Sequence, residues 1–426
     1  MSAFDKIIGY DDIKAELACF ADVFKNREKY MKLGVTLPRG LLLSGNPGLG
    51  KTLMANCFIT EAGCKAFTLR KEKPNGDFVN YIKETFDKAK KETPSIVFLD
   101  DMDKFANEDA SHRNAEEYVA VQSCIDECKG HDVFVLATVN DKFCLPDSLI
   151  RAGRFDKMIS IDVPNEKYSE HIIKHFLSHK QIMDDVDVNE LVRLMEGQSC
   201  AKLETVINEA GIYAGFDGRE RITHGDIIKA IMRMLFDSPE CINPSDDADT
   251  RKIAVHEAGH AVIAEVLNPG SVTLTSVCRH TGCTEGITKL YKPKGYMLSM
   301  ELQENNILSG LGGKAATEII YGIADVGCNS DMGKVFNLVS EFVDPDCTLG
   351  FDMFEGRNPS QHLLEQKDRM IASEVARYYR MARQILIENR DFLDAMIEAL
   401  IDHKTVTFRE IQSIRERYLG KNIKCA

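Results

Sequence analysis

Three short apolar runs in the N-terminal part of the chain predict buried strands. They cover Leu41–Ser44, Ser95–Leu99 and Val133–Thr138, and their lengths and bulky apolar side chains are typical of fully buried strands. Helical stretches separate these runs, and strands that alternate with helices form a parallel sheet with helices on both faces. We therefore predict a doubly wound α/β domain, in which ligands bind at the carboxyl ends of the strands.

Helical periodicity dominates the rest of the chain. One apolar helical face consists of Ile253, Val255, Ala258, Ala261, Val262 and Ala264. The following Asn268–Gly270, which contains a proline, predicts the end of this helix. We expect four segments: a large α/β domain over 1–163, a small helical lid over 164–237, a polar linker over 238–248 and a mainly helical domain over 249–426.

Bulk properties exclude several classes of protein. The chain has 426 residues and a net charge of -13, whereas proteins that bind nucleic acid through its backbone are usually basic. No apolar run approaches the roughly 20 residues needed to span a bilayer, and the first residues do not resemble a signal peptide. The 13 cysteines are scattered. They predict reduced thiols in a cytoplasmic protein. The acidic charge predicts no nucleic-acid partner, and the short apolar runs predict no membrane span.

A glycine-rich segment follows the first predicted strand. It consists of Gly45, Asn46, Pro47, Gly48, Leu49, Gly50, Lys51 and Thr52. This G-x-x-x-x-G-K-T spacing lets backbone amides surround a phosphate while the next helix directs its positive end at the same charge. Lys51 is expected to reach the β and γ phosphates of ATP, and Thr52 to bind Mg²⁺.

Polar residues at the ends of the other two strands predict the rest of a nucleotide site. Asp100 is placed to hold Mg²⁺ through water, and Asp101 stands where a catalytic base is needed. Asn140, after the third strand, is a candidate for positioning the attacking water. Arg151 and Arg154 lie on the following loop and are either solvated or directed at a γ-phosphate.

The chemistry of the helical domain is indicated by the H-E-x-x-H pattern. His256 and His260 are four residues apart, so a helix places both imidazoles on one face, where they can hold a zinc ion. Glu257 is positioned to take a proton from a metal-bound water. Two histidines do not complete a catalytic zinc site, and the pattern alone does not identify the third ligand.

Together these motifs resemble the AAA+ ATPases, and more narrowly the FtsH-type ATP-dependent zinc metalloproteases. The resemblance implies that the segment containing Ile8 and Gly9 contacts adenine, with His175 nearby. It also implies that Gly45–Thr52 is the Walker A loop, Asp100 the Walker B aspartate and Asn140 the sensor-1 asparagine. Arg151 and Arg154 correspond to the arginine fingers, which act on ATP in an adjacent subunit and so imply a ring, usually a homo-hexamer.

The resemblance also identifies a third zinc ligand. A small-residue helix that contains Glu318 is followed by Asp331 at the position of the family's aspartate ligand. From the residues alone, Asp331 could not be chosen over the nearby Asp325. We expect Zn²⁺ to be bound by His256, His260 and Asp331, and Glu318 to be structural or to orient a histidine.

The sequence departs from the family pattern at three points. Asp101 stands where the family usually has glutamate, and the shorter side chain predicts slow ATP hydrolysis. The segment 67–81 lacks the aromatic-aliphatic-glycine triplet of the family's pore loop, and Phe78 and Tyr81 fit better as core residues of the next helix. The family's membrane anchor has no counterpart, as expected of a soluble member or of a fragment.

The function predicted from the sequence is ATP-dependent zinc endopeptidase activity on polypeptides. Zn²⁺, ATP and Mg²⁺ are the expected cofactors, and a strand within 272–289 is expected to pair with extended substrate. Two alternatives remain open: a remodelling ATPase or chaperone with little proteolysis, and a zinc peptidase with a weak ATPase that is only a nucleotide-gated scaffold.

Overall fold

The computed structural model describes residues 2–36, 38–72, 75–106, 115–151, 153–238, 248–278, 286–291, 299–323, 328–343 and 360–419. These residues form two compact units. Unit 1 contains the chain up to Ile182 and Met195–Arg221, whereas unit 2 contains Met183–Leu194 and the chain from Ile222 onward. The segment 164–237 therefore contributes helices to both units.

Unit 1 is built on a five-stranded parallel sheet in the order β2-β3-β4-β1-β5. The strands are β1 (Gly40–Ser44), β2 (Lys65–Leu69), β3 (Ser95–Leu99), β4 (Val133–Val139) and β5 (Lys157–Ser160). The helices are α1 (Asp11–Lys25), α2 (Arg27–Lys32), α3 (Lys51–Ala62), α4 (Asn75–Lys91), α5 (Ala115–Glu127), α6 (Asp147–Ile150), α7 (Glu166–Ser178) and, after α8 of unit 2, α9 (Cys200–Phe216). The three predicted strands are β1, β3 and β4.

Helices cover both faces of this sheet. On one face the ring of Phe134 in β4 lies 4.6 Å from Phe24 of α1 and 5.8 Å from Phe58 of α3. Its neighbours Val133 and Val135 belong to a separate core cluster that includes residues of α4 and α5. Because successive side chains of a strand point to opposite faces, the α/β domain is doubly wound, as predicted.

Unit 2 is mainly helical. Its helices are α8 (Val188–Leu194), α10 (His224–Phe236), α11 (Ala248–Leu267), α12 (Met300–Gly310), α13 (Gly312–Tyr321), α14 (Asn329–Val343), α15 (Gln361–Glu388), α16 (Arg390–His403) and α17 (Phe408–Leu419). A small antiparallel sheet, in the order β7-β6-β8, joins β6 (Val272–Ser276), β7 (Ile287–Leu290) and β8 (Thr405–Thr407).

Helix α11 forms the centre of unit 2. Its buried side chains extend beyond the predicted apolar face, since Ala254 and Ile263 are also without exposure. They share one core with residues of α12, α13, α14, α15 and α16. A helix that is buried on most sides positions its few polar side chains firmly. Within the described residues, none of the helices combines the length and apolar character needed to cross a bilayer.

Candidate functional site

The loop between β1 and α3 is shaped to hold an anion. Gly45, Gly48 and Gly50 have φ angles of 152°, 80° and 87°, a region that favours glycine. A Cβ at Gly45 would also overlap the carbonyl of Ile161. Helix α3 begins at Lys51, so its free N-terminal amides face the loop. The predicted phosphate loop therefore has the required backbone shape.

Side chains connect this loop to the ends of the neighbouring strands. Lys51 Nζ donates to the carbonyls of Gly45 and Asn46 over 2.7 and 2.9 Å, and to Asn140 Oδ1 over 2.9 Å. Burial lowers the pKa of Lys51. These contacts hold the ammonium group against the backbone of the loop, where a phosphate is expected to bind.

The two acidic residues after β3 occupy different surroundings. Asp100 is 4% exposed and its Oδ1 accepts hydrogen bonds from the hydroxyls of Thr52 and Thr138, both over 2.9 Å. The backbone of Asp101 is left-handed, with φ 53°, and its carboxylate pairs with Lys104 over 2.6 Å. The structure thus brings Thr52 and Asp100 together, as a shared magnesium ion requires.

The two candidate arginines also differ. Arg154 is 3% exposed, and its guanidinium pairs with Asp126 over 2.6 Å and donates to the carbonyl of Ser148. Its hydrogen bond lowers the pKa of Asp126 to about 2. Arg151, which follows α6, is exposed. Arg151 is thus open to solvent, whereas Arg154 is engaged within its own chain.

The residues implied to contact adenine lie on or beside α7. Gly9 has φ 72° and packs against Tyr168, where a Cβ would approach to 3.1 Å. The preceding Ile8 is half-buried. His175 lies farther along α7, with its ring 4.8 Å from that of His179. None of these contacts by itself defines a base-binding pocket.

The start of α9 is part of the nucleotide region although sequence reasoning did not select it. The amide of Ala201 donates to the carbonyl of Gly48 over 3.0 Å. A Cβ on Gly48 would lie 2.9 Å from the hydroxyl of Ser199. The phosphate loop therefore packs directly against the first turn of a lid helix, a contact that only the tertiary fold reveals.

The H-E-x-x-H residues of unit 2 lie on α11, as predicted. His256 and His260 project from it toward Asp331 in the first turn of α14. The Nε2 atoms of the two histidines are 3.0 Å apart, and they lie 3.3 and 3.4 Å from Asp331 Oδ2. The three side chains are 14%, 11% and 21% exposed. Within the described residues they form the one cluster with metal-binding geometry.

These distances fit a zinc ion. Ligands placed about 2.0–2.1 Å from a tetrahedral zinc are separated from one another by about 3.3–3.4 Å. The three observed separations are close to this value. The other ring nitrogen of His260, Nδ1, lies 2.7 Å from the carbonyl of Ser309. This contact fixes the tautomer that leaves Nε2 free to bind a metal.

The surroundings of the cluster favour a positive charge at its centre. Burial lowers the pKa of His260, but the hydrogen bond to Asp331 and the charges of Glu257 and Asp331 outweigh it, and the net shift is upward. Burial raises the pKa of Asp331, yet its hydrogen bonds to both histidines hold this pKa well below the usual range. A divalent cation would satisfy the same electrostatic demand.

Glycines allow the close helix packing that places the histidines. A Cβ on Gly259 would overlap the carbonyl of Gly312, and a Cβ on Gly312 would overlap that of Gly259. A Cβ on Gly313 would overlap the imidazole of His256. Helices α11 and α13 therefore touch backbone to backbone, and the His256 ring rests on the surface that Gly313 leaves open.

Glu257 lies beside the metal ligands in a buried pocket. Its carboxylate accepts a hydrogen bond from the Thr288 hydroxyl over 2.7 Å. A Cβ on Gly286, which has φ 137°, would lie 2.7 Å from Glu257 Oε1. Burial is the main cause that raises the pKa of Glu257. A buried carboxylate with a raised pKa is suited to accepting a proton and returning it.

Comparisons with known proteins agree with this pair of sites. Residues 41–163 match the ATPase family associated with various cellular activities (AAA), and residues 244–414 match peptidase family M41. ATP-dependent zinc metalloprotease FtsH 1 of Thermoanaerobacter sp. (strain X514) is 30% identical over 96% of this chain and 72% of its own length. FtsH 3 of Symbiobacterium thermophilum is 30% identical over 98% of this chain and 71% of its own length. The chain belongs to the FtsH family of ATP-dependent zinc metalloproteases.

Membership of the FtsH family implies Zn²⁺, and ATP with Mg²⁺, as cofactors, and both donor sets fit. Two imidazole nitrogens and a carboxylate suit zinc, whereas the hydroxyl of Thr52 and the carboxylate of Asp100 suit magnesium. A cavity of about 290 Å³ lies next to the latter pair. Its lining consists of Thr52, Asn56, Thr68, Arg70, Glu72, Tyr81, Phe98 and Asp100.

The structure bears on two further expectations drawn from the FtsH pattern. Phe78 is completely buried and Tyr81 packs against the same cluster, so both belong to the core, as predicted. The carboxylate of Glu318 binds Lys314 and the hydroxyl of Tyr379. Of the two roles expected for Glu318, these contacts support the structural one, whereas the carbonyl of Ser309 orients His260.

Proposed function

We propose that this chain is an ATP-dependent zinc endopeptidase. Unit 1 binds and hydrolyses ATP, and the resulting motion delivers polypeptide to the cluster in unit 2. The observation that carries the proposal is the triangle of His256, His260 and Asp331 beside the buried carboxylate of Glu257. The intact ligand set favours this function over that of a remodelling ATPase without proteolysis.

The residues of unit 2 support peptide hydrolysis as follows. A zinc ion in this triangle would supply Lewis-acid polarisation of the scissile carbonyl. Glu257 accepts a proton from the attacking water and then donates it to the leaving amine. Strand β7 lies at one edge of its sheet and carries Thr288, which contacts Glu257. An extended substrate that pairs with β7 would pass next to this base.

The residues of unit 1 support phosphoryl transfer to water. Gly45–Thr52 binds the phosphates, and Thr52 with Asp100 holds the magnesium ion. Asp101 is the proposed base, and Asn140, which is hydrogen-bonded to Lys51, positions the attacking water. We assign Ile8, Gly9 and His175 to the adenine side on the basis of the resemblance alone.

We further propose a homo-hexameric ring in the cytoplasm. The exposed Arg151 supports a ring, because an arginine that acts on a neighbour's ATP must be free of contacts within its own chain. Arg154 is proposed to support this loop through its pair with Asp126 and to act on ATP only if that pair opens. Free thiols in the core, such as those of Cys124 and Cys128, are consistent with a reducing compartment.

Digestion of casein by the zinc-loaded protein tests the proposal. Cleavage with ATP, little cleavage with ADP, and loss of cleavage with a zinc chelator or in Glu257→Gln are expected. Cleavage that is indifferent to nucleotide would instead support a zinc peptidase whose ATPase domain is only a scaffold. The burial of Phe78 favours this alternative, because a buried side chain cannot grip substrate. ATP hydrolysis without any cleavage would refute peptidase activity.

A further inference from the structure

Strand β4 holds the loop that follows β3 at two neighbouring points. Thr138 lies in β4 and Asn140 just after it, and side chains two residues apart on a strand point to the same side. The hydroxyl of Thr138 accepts a hydrogen bond from the amide of Asp101 and donates to Asp100 Oδ1, both over 2.9 Å. The side-chain nitrogen of Asn140, Nδ2, donates to Asp103 Oδ2 over 3.2 Å. The loop is therefore fixed to β4 at Asp101 and again at Asp103.

The turn that carries Asp103 is anchored in the core of unit 1. Residues 102–104 form one turn of 3₁₀ helix. The amides of Phe105 and Ala106 both donate to the carbonyl of Met102, over 3.1 and 2.8 Å. These three residues are completely buried and belong to the core cluster that includes residues of α4 and α5. The backbone that positions the carboxylate of Asp103 therefore cannot shift without disturbing packed side chains.

Two neighbours of Asn140 determine which way its amide group points. An ammonium group can only donate hydrogen bonds, and an ionised carboxylate can only accept them. Lys51 Nζ lies 2.9 Å from the amide oxygen of Asn140, whereas the Asp103 carboxylate lies on the side of the amide nitrogen. Both contacts therefore require the same orientation, in which the oxygen faces the phosphate loop and the nitrogen faces Asp103.

The contact with Asp103 gains importance once a nucleotide binds. Lys51 is then expected to turn toward the phosphates. Without a second contact, the amide of Asn140 could rotate and direct its nitrogen at a phosphate oxygen. Asp103 opposes this rotation, because the rotated amide would place its oxygen against the carboxylate, and two acceptor oxygens repel each other. The amide oxygen of Asn140 thus stays directed at the phosphate loop.

We infer that Asp103 is a positioning residue for the proposed hydrolysis of ATP. Its carboxylate keeps the amide oxygen of Asn140 available to the attacking water, and the amide nitrogen is kept away from the phosphate. The role rests on the proposed function of unit 1 and adds to it a residue that lies outside the sequence motifs.

The oxygen of Asn140 acts on the water together with the proposed base. In the hydrolysis the water oxygen bonds to the γ-phosphorus, the bond from this phosphorus to the bridging oxygen of ADP breaks, and Asp101 takes a water proton. The amide oxygen of Asn140 accepts a hydrogen bond from the other O–H of the water and so fixes its direction. A fixed acceptor matters more beside Asp101, because the short side chain of this base leaves the water less constrained.

Two variants of Asp103 test the role in steady-state ATP hydrolysis. Asp103→Ala removes the acceptor, so kcat should fall about tenfold while KM for ATP changes by less than about twofold. Asp103→Asn removes the charge but keeps an oxygen that can accept from Asn140, and it should recover most of the rate. Asp87→Ala removes an exposed aspartate of α4 and is the matched control. An unchanged kcat in Asp103→Ala, or equal losses in both Asp103 variants, would overturn the positioning role.

A double variant shows whether Asp103 acts through Asn140. Asn140→Ala alone should lower kcat. The further change Asp103→Ala should then alter kcat by less than about twofold, because the amide that Asp103 orients is already absent. Losses that multiply in the double variant would overturn the inference, since Asp103 would then act independently of Asn140.

Binding of a transition-state mimic gives a readout that does not require hydrolysis. ADP with Mg²⁺ and aluminium fluoride resembles ATP under attack by water, and enzymes bind such mimics more tightly than substrates. In Asp103→Ala the affinity for the mimic should fall about tenfold, whereas an unchanged affinity for ADP shows that the site is folded. Equal losses of affinity for both ligands would assign Asp103 to general nucleotide binding and overturn the inference. If the wild type hydrolyses no ATP, the proposed function fails, and a tenfold difference for the mimic would still assign the orientation of Asn140 to Asp103.

Discussion

Backbone groups form most of the proposed phosphate site in unit 1, whereas side chains surround the proposed metal site in unit 2. In unit 1, three glycines with positive φ shape the loop, and the N-terminus of α3 faces it. In unit 2, two histidines of α11 meet an aspartate of α14. The first arrangement depends on one continuous segment, and the second depends on how separate helices pack.

This difference locates the weak points of each site. A contiguous loop retains its shape as long as its own glycines and lysine are present. The metal triangle also requires residues that never touch the metal, such as Gly313 beneath His256 and the carbonyl of Ser309 beside His260. Substitutions far from a recognisable motif should therefore damage unit 2 more readily than unit 1.

Inactivation of one site at a time should give the largest effects on the two activities. Glu257→Gln keeps the size of the side chain and removes the base, so peptide cleavage should fall by about a hundredfold or more, while ATP hydrolysis persists. Lys51→Met should abolish ATP hydrolysis and leave zinc content unchanged. Both activities are measured on each variant. Loss of both activities in Glu257→Gln would show that the sites are not separable.

Filling the space beneath His256 should weaken zinc binding without changing a ligand. In Gly313→Ala the new methyl group overlaps the imidazole, and zinc affinity should fall by about 10- to 100-fold. Gly333→Ala is the matched control, because among the described residues no atom outside its own stretch of α14 lies within 4 Å of the added Cβ. Competition with a chromophoric chelator measures both affinities. Equal zinc affinities in the two variants would contradict the prediction, because α11 and α13 would then separate enough to fit the methyl group without disturbing His256.

Sequence reasoning identified what lies in continuous motifs and missed what depends on packing. Gly45–Thr52 and the pair His256 and His260 could be predicted because spacing within one element determines their geometry. Asp331 could be selected only through the family resemblance, because it lies far from His260 in the chain. The roles of Gly313 and Thr288 could not be predicted, since a neighbouring helix or strand creates the need for them.

Replacement of Asp101 by glutamate should change the ATPase rate and the stability in opposite directions. Asp101→Glu lengthens the side chain by one methylene and should bring the base closer to the attacking water, so the ATPase rate should rise about fivefold. Aspartate tolerates a left-handed conformation better than glutamate, so the free energy of unfolding should fall by about 0.5 kcal/mol. Steady-state ATPase assays and urea unfolding measure both changes. A rate that stays the same or falls would contradict the distance argument.

The last comparison concerns stability alone, and it separates the buried Arg154 of unit 1 from the exposed Arg151. Arg154→Met should lower the free energy of unfolding by about 1 kcal/mol, since its partner Asp126 is partly exposed and screened by solvent. The exposed Arg151→Met is the matched control and should leave stability unchanged while it lowers ATP hydrolysis.

The pH dependence of this stability difference tests its origin in the Arg154–Asp126 pair. The pKa of Asp126 is about 2 in the folded protein and about 3.9 in an unfolded chain. A lowered folded pKa stabilises the protein above the unfolded value, and this contribution is lost as the pH falls through the folded value. Urea unfolding should therefore show a constant difference between wild type and Arg154→Met at pH 5 and 7, and a smaller one at pH 3. A difference that is the same at pH 3 would assign the effect to the packing of the arginine side chain instead of its charge.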